Sequence, residues 1–190
     1  MAKDLFSIPV INMNGNSKGE QRAANQALHY NIIHYGALAI EESIRSGADL
    51  NNSDRYGHRP LDQAVSRGKD DVVAALIKGG AIINVRGNKL TSPIYCAVCR
   101  PGRASVLRLL IEGGGNVNRP FTTGNYPLHV AAEFSDIETV DLLVASKAKL
   151  TTRNKKGLTP FQVALQNKDP AMGAHFMSHY GECFIEALAC

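Results

Sequence analysis

The sequence of 190 residues contains no tryptophan, and aromatic residues make up only 6% of it. It has four cysteines, too few for the disulfide framework that staples small secreted domains. No apolar run approaches the roughly 18 residues that a membrane-spanning helix needs. The first residues include Asp4 and lack both the hydrophobic core and the cleavage site of a secretory signal. These absences favour a reducing location, the cytoplasm or the nucleus, and no contact with a membrane.

The proportion of charged residues and the net charge of the sequence are both moderate. Charged residues make up 20% of the sequence, hydrophobic residues 44%, and the formal net charge is +4. This composition can bury a core and is not that of a disordered chain. The sequence contains neither a phosphate-binding loop nor a nucleophile elbow. We therefore expect no enzymatic activity, no cofactor and no metal.

A short pattern that recurs at a fixed period is the most informative feature of the sequence. Three-residue segments of similar character stand at 27–29, 60–62, 93–95, 127–129 and 160–162, in steps of 33, 33, 34 and 33 residues. All but the first begin with proline, which is tolerated in the first turn of a helix. A fixed period near 33 residues indicates a stack of similar units that together bury one continuous core.

The second unit, residues 54–84, contains the pattern in its fullest form. A tight turn ending at Gly57 precedes a short helix from Pro60, and Gly68 ends that helix. A second helix follows with an apolar stripe, and Gly80 is expected to end it in the left-handed conformation. This pattern, with the P-L-H triplet of residues 127–129, resembles the ankyrin repeat.

The resemblance covers residues from about 21 to 178 and implies an all-α solenoid of helix-turn-helix units with β-hairpin-like connecting loops. We expect a flexible leader over 1–20 and an ankyrin repeat domain over 21–190. The predicted units are about 21–53, 54–86, 87–120, 121–153 and 154–178, with a C-terminal cap at 179–190.

Several residues depart from the pattern. The histidine of the triplet is kept at His29 and His129, and the resemblance implies that both hydrogen-bond the backbone and connect neighbouring repeats. Asp62, Tyr95 and Gln162 replace it in the other units. Lys147 stands where a left-handed glycine is expected, and 100–102 lengthen the turn of the third unit by one residue.

Two groups of side chains suggest a different activity, a metal- or ligand-responsive scaffold. Cys96 and Cys99 form a C-x-x-C, but no second pair completes a zinc site, so they are interpreted as structural thiols. His175, His179 and Cys183 recur every four residues, the spacing of one helical face, but Gly181 is expected to break the helix between them.

The resemblance implies that partner proteins bind the concave face, formed by the hairpin tips and the exposed side of the first helix of each unit. In this sequence those positions are rich in basic, aromatic and small polar residues, a mixture typical of interaction sites. The predicted binding residues are Arg55, Tyr56, His58, Arg67, Asn88, Lys89, Arg100, Thr122, Thr123, Asn125, Phe134, Lys155 and Lys156.

The distribution of charge suggests the chemistry of the partner. Residues 53–110 carry ten Lys and Arg against four Asp and Glu, 120–146 carry four acids and no Lys or Arg, and 147–156 carry five bases. We expect a monomer that binds a protein with acidic patches and acts as an inhibitor or adaptor. The role would resemble that of I-kappa-B-like proteins, or of pathogen effectors delivered to a host cytosol. Nucleic-acid binding is disfavoured because the acidic block interrupts the basic face.

Overall fold

The computed structural model describes residues 18–84, 92–134, 136–167 and 170–188, with side chains described up to Gly181. Within these ranges all regular secondary structure is helical. The helices are α1 (Lys18–His34), α2 (Ala37–Arg45), α3 (Pro60–Arg67), α4 (Asp70–Lys78), α5 (Pro93–Val98), α6 (Ala104–Glu112), α7 (Pro127–Glu133), α8 (Ile137–Ala145), α9 (Pro160–Gln166) and α10 (Pro170–Leu188). None of these helices is long and apolar enough to cross a membrane.

The helices form two stacked layers. The inner helices α1, α3, α5, α7 and α9 each pack on the next, and the outer helices α2, α4, α6 and α8 do the same beside them. Buried side chains from successive pairs join into one apolar core that runs from Ala24 to Phe176. The predicted all-α solenoid is confirmed.

The inner helices begin where the recurring prolines stand. Pro60, Pro93, Pro127 and Pro160 each occupy the first helical turn. At the start of α9 the Thr159 hydroxyl accepts a hydrogen bond from the Gln162 N–H, and the Gln162 side chain accepts one from the Thr159 N–H. Such reciprocal capping satisfies backbone donors that the first turn leaves unpaired.

The connections between units are hairpin-like turns. In the second unit the Asp54 N–H donates to the His58 carbonyl at 2.8 Å, and the Asp54 carboxylate accepts from the N–H groups of Tyr56 and His58. Gly57 has φ of 83°, the left-handed region that favours glycine. The turn predicted there is confirmed, and Asn154 organises the same turn in the last unit.

A ladder of asparagines links the first four units across their three junctions. The Asn51 side chain accepts from the Ile82 N–H, Asn84 accepts from the Asn116 N–H, and Asn118 accepts from the Lys149 N–H, all at 2.8–2.9 Å. Hydrogen bonds that cross each junction fix the angle between units, which keeps equivalent positions aligned along the array.

Two helices differ from what the sequence predicted. Helix α1 begins at Lys18, so it includes 18–20, which were assigned to the leader; the rest of the predicted leader lies outside the described residues. Helix α10 runs without interruption through Gly181, so the predicted helix break there is wrong, and the described part of the predicted cap, 179–188, forms the second half of this helix.

The unusual residues of the pattern behave as expected. Lys147 has φ of 65°, the left-handed conformation predicted for it, and Gly80 has φ of 95°. The lengthened turn of the third unit also contains a left-handed glycine, Gly102, with φ of 75°.

Candidate protein-interaction face

The candidate site is the inner face, which we define as the hairpin tips together with the exposed ends of the inner helices. Its tip in the second unit carries the most exposed aromatic side chain of the predicted set. Tyr56 is 69% exposed, and the Arg55 guanidinium carbon lies 4.8 Å from the centre of its ring. This cation–π contact holds the two side chains together on the surface. His58 is half-buried beside them, with Nδ1 3.6 Å from the Asp54 carboxylate.

The ends of the inner helices supply the second part of the face. Arg67 is the last residue of α3 and is exposed. Arg100 is also exposed, and its guanidinium donates to the Ser66 carbonyl of the preceding unit at 2.6 Å. Phe134 follows α7 directly and leaves 43% of its surface exposed.

The hairpin tips of the fourth and fifth units come together around a shallow groove of about 400 Å³. It is lined by Thr123, Asn125, Asn154, Lys155 and Lys156. The Asn154 amide donates to the Asn125 side chain at 2.8 Å, and the Lys155 ammonium donates to the Thr122 carbonyl at 3.0 Å. Four predicted residues thus share one surface, although Asn125 and Lys155 also hold the two tips together.

A second groove, of about 160 Å³, joins the tips to the inner helices in the same two units. Asn125 and Lys156 line it from the tips, and Glu133, Gln166 and Asn167 from the helices. The two parts of the predicted face therefore meet here. Thr122 is exposed at the edge of the fourth tip. Asn88 and Lys89 lie outside the described residues.

An aromatic cluster on the first unit was not predicted. The rings of Tyr30 and His34 lie 4.2 Å apart and those of Tyr30 and Tyr35 6.1 Å apart, and both tyrosines are exposed. Ile33, beside them, is 40% exposed. The sequence contained the signal, because Ile33 and His34 stand 33 residues before Ser66 and Arg67.

The two histidines of the recurring triplet, His29 and His129, are the motif histidines, and they hydrogen-bond the backbone as the resemblance implied. His129 is fully buried, its Nε2 lies 2.9 Å from the Leu158 carbonyl of the next unit, and its Nδ1 accepts from the Tyr126 N–H. Burial lowers the pKa of His129, which favours the neutral ring. His29 lies 3.2 Å from the Asn52 carbonyl.

Asp62, at the same position in the second unit, is buried as a carboxylate. It is 1% exposed and pairs with the Arg59 guanidinium at 3.1 Å. Burial raises the pKa of Asp62 to about 6, against the lowering effect of Arg59. The side chain lies under the inner face and does not contribute to its surface.

The C-x-x-C cysteines lack the properties of reactive thiols. Burial raises the pKa of Cys96 to about 11 and also raises that of Cys99, and both cysteines are reduced. A thiol held in its protonated form is a poor nucleophile. Their interpretation as structural residues is supported.

The histidines of α10 do not form a metal site with other described residues. His175 Nε2 lies 2.6 Å from the Asp141 carboxylate, and its ring stacks on His179 at 4.3 Å. No group of three potential ligands comes together in the described part of the chain. The side chain of Cys183 lies outside that part.

Comparison with known proteins identifies the repeat. A family model described as ankyrin repeats (3 copies) matches residues 26–120 and 94–179. The chain is 27% identical over 170 residues to the Nuclear factor NF-kappa-B p105 subunit of Gallus gallus, covering 86% of this chain and 17% of that protein. It is 28% identical over 160 residues to Rabankyrin-5 of Homo sapiens, covering 80% and 13%.

A shorter relative is Ankyrin repeat domain-containing protein 37 of Xenopus tropicalis, 35% identical over 96 residues, which cover 50% of this chain and 58% of that protein. The chain spans less than a fifth of the p105 subunit and of Rabankyrin-5, so the likeness to those two concerns their repeats. The match of the family model over most of the chain shows that it belongs to the ankyrin repeat family.

Proposed function

We propose that this chain binds a partner protein through the inner face and acts by occupying it, as an inhibitor or an adaptor. Ankyrin repeats are generally protein-interaction modules. The observation that carries the proposal is the exposure of Tyr56 and Phe134 on the inner face, next to exposed arginines. Tyrosine and arginine are enriched among the residues that supply most of the free energy of binding.

The separation of two sets of residues supports the proposal. The motif histidines and the ladder asparagines are used in holding the units together. Arg67, Tyr56 and Phe134 project from the same units without taking part in that stacking. Such exposed side chains can contact a partner without breaking the contacts that stabilise the fold.

The inhibitor or adaptor role rests on the relatives and on the absence of a reactive site in the described residues. The similarity to the p105 subunit fits an I-kappa-B-like action, and a pathogen effector would use the same surface. The basic character of 53–110 favours a partner with acidic patches. A monomer in the cytoplasm or nucleus, or in a host cytosol, is consistent with the free thiols of Cys96 and Cys99.

The test is affinity capture from a lysate followed by mass spectrometry, with the unaltered chain and the triple variant Arg67→Ala, Tyr56→Ala, Phe134→Ala. We expect the variant to lose its captured partner while its thermal unfolding temperature stays within a few degrees, because exposed positions contribute little to stability. A matched control carries Arg45→Ala, Lys78→Ala and Arg108→Ala on the outer helices α2, α4 and α6, where all three side chains are exposed.

Capture of the same partners by the triple variant and by the control would contradict the proposal. Loss of capture in the control alone would place the binding surface on the outer helices.

A further inference from the structure

Three nitrogen-bearing side chains stand at equivalent positions along the inner face. His34 ends α1, Arg67 ends α3, and Arg100 follows α5 by two residues, in steps of 33. All three are exposed. Since α1, α3 and α5 pack directly on one another, these residues form a line that crosses the first three units. We call this line, two arginines and a histidine that adds positive charge only when protonated, the cationic row.

Two further cations lie beside the cationic row. The Lys69 ammonium donates to the carbonyls of Ile33 and Tyr35 at 3.0 and 2.9 Å. The Arg103 guanidinium lies 3.4 Å from the Ser66 carbonyl, which Arg100 also contacts. Each of these side chains crosses back to the preceding unit, so the positive charge is continuous across the junctions.

No ion pair joins these side chains to a carboxylate in the described part of the chain, although Asp70 and Asp71 follow Lys69 and the Asp71 carboxylate accepts from the Ala37 N–H. The ion pairs found there join other residues, and the Arg67 side chain has neither a hydrogen bond nor an ion pair with any described residue. The carbonyl ends of the helices stabilise cations, which accounts for part of the pattern. A helix end carries only about half an elementary charge, however, so each guanidinium keeps most of its attraction for an anion.

The row ends at the fourth unit. The residue equivalent to Arg100 is Phe134, an exposed ring, and Glu133 stands beside it. Burial raises the pKa of Tyr95 in the third unit, and the negative charge of Glu133 adds to that effect. An anionic ligand along the row would therefore be repelled beyond the third unit, where an apolar group would fit.

We propose that the cationic row binds an extended acidic segment of a partner protein that carries a carboxylate at every third residue. Packed helices lie about 8–10 Å apart, which sets the spacing of the row. A chain in the polyproline II conformation has three residues per turn and advances about 3.1 Å per residue, so side chains at i, i+3 and i+6 lie on one face about 9 Å apart. Carboxylates at i, i+3 and i+6 would match the row, and an apolar residue three positions beyond them would reach Phe134.

This inference rests on the proposed function and names the partner chemistry for the same face. Its test uses fluorescein-labelled synthetic peptides and the full chain in fluorescence anisotropy. One peptide carries Glu at i, i+3 and i+6 and Leu at i+9. A second carries the reverse order, with Leu at i and Glu at i+3, i+6 and i+9. A third has the same composition with its three Glu residues adjacent.

We expect one of the spaced peptides to bind at least about tenfold more tightly than the adjacent peptide. Arg67→Ala and Arg100→Ala should each weaken that binding about fivefold or more, whereas Arg108→Ala on outer helix α6 should leave it unchanged. Affinity should fall with rising salt concentration, because salt screens the attraction between the Glu side chains of the peptide and the arginines of the row.

Equal binding of the spaced and adjacent peptides, or no binding of either at millimolar concentration, would overturn the inference. So would tighter binding of a single-stranded oligonucleotide of equal charge to the same arginines. The proposed function is tested separately. If capture of a partner required Tyr56 and Phe134 but not Arg67, the proposed function would stand and the inference about the cationic row would be wrong.

Discussion

Asp62 occupies the position at which His129 connects two units farther along the chain. The carboxylate is 1% exposed and is paired with Arg59, which replaces the usual hydroxyl at the helix start. The sequence identified both replacements but not their pairing, because an ion pair depends on how two side chains fold back on one turn.

We predict that Asp62 makes the fold less stable as the pH rises from about 4 to 7. Burial raises the pKa of Asp62 in the folded protein to about 6, so the folded state holds a proton that the unfolded state has released. The contribution of Asp62 to the free energy of unfolding therefore falls across this interval, by about 2–3 kcal/mol for a shift of about two pKa units. In urea unfolding, the Asp62→Asn variant should therefore gain stability relative to the unaltered chain as the pH rises over the same range.

The control for this experiment is Asp70→Asn, which removes an exposed carboxylate from the same unit. If the stability difference between Asp62→Asn and the unaltered chain were constant from pH 4 to 7, the buried carboxylate would not titrate as described.

At the scale of the element, α10 is the least expected helix. Its 19 residues include Gly173 and Gly181, and glycine costs about 1 kcal/mol relative to alanine inside a helix. Packing outweighs that local cost, since Met172 and Phe176 of α10 are fully buried against the rest of the array. The continuity of α10 thus depends on tertiary contacts that local sequence preferences do not include.

We predict that Gly181→Ala raises the free energy of unfolding by about 0.5–1 kcal/mol, because alanine favours the helix and nothing lies within 4 Å of the added carbon. The matched control is Gly57→Ala, where the space is equally open but φ is 83°. That variant should lose about 1 kcal/mol, because a side chain disfavours the left-handed region. Urea unfolding measures both, and a destabilised Gly181→Ala would mean that the helix is interrupted there.

At the scale of the whole molecule, one set of positions builds the stack and another faces outward. The stacking set could be predicted from the sequence, since the period identified the helix starts and the resemblance to the ankyrin repeat implied the left-handed Lys147 and the role of His129. Repetition makes such residues predictable, because each one faces the same neighbours in every unit.

The outward set was harder to predict. The period identified its positions, but the number of free side chains depended on hydrogen bonds between units, such as those of Asn125 and Lys155. The exposed Tyr30 and Tyr35 were missed because binding residues were assigned only to the second to fifth units, although the period placed Ile33 and His34 in register with Ser66 and Arg67. Contacts between units therefore decide which surface residues remain available to a partner.

Hydrogen–deuterium exchange of the chain, alone and with its captured partner, tests the central claim most directly. The account predicts slower exchange at 53–59, 66–69 and 99–103 in the complex, with no change in the outer helices α4 and α6. Protection confined to those outer helices, with the inner face exchanging as in the free chain, would contradict it.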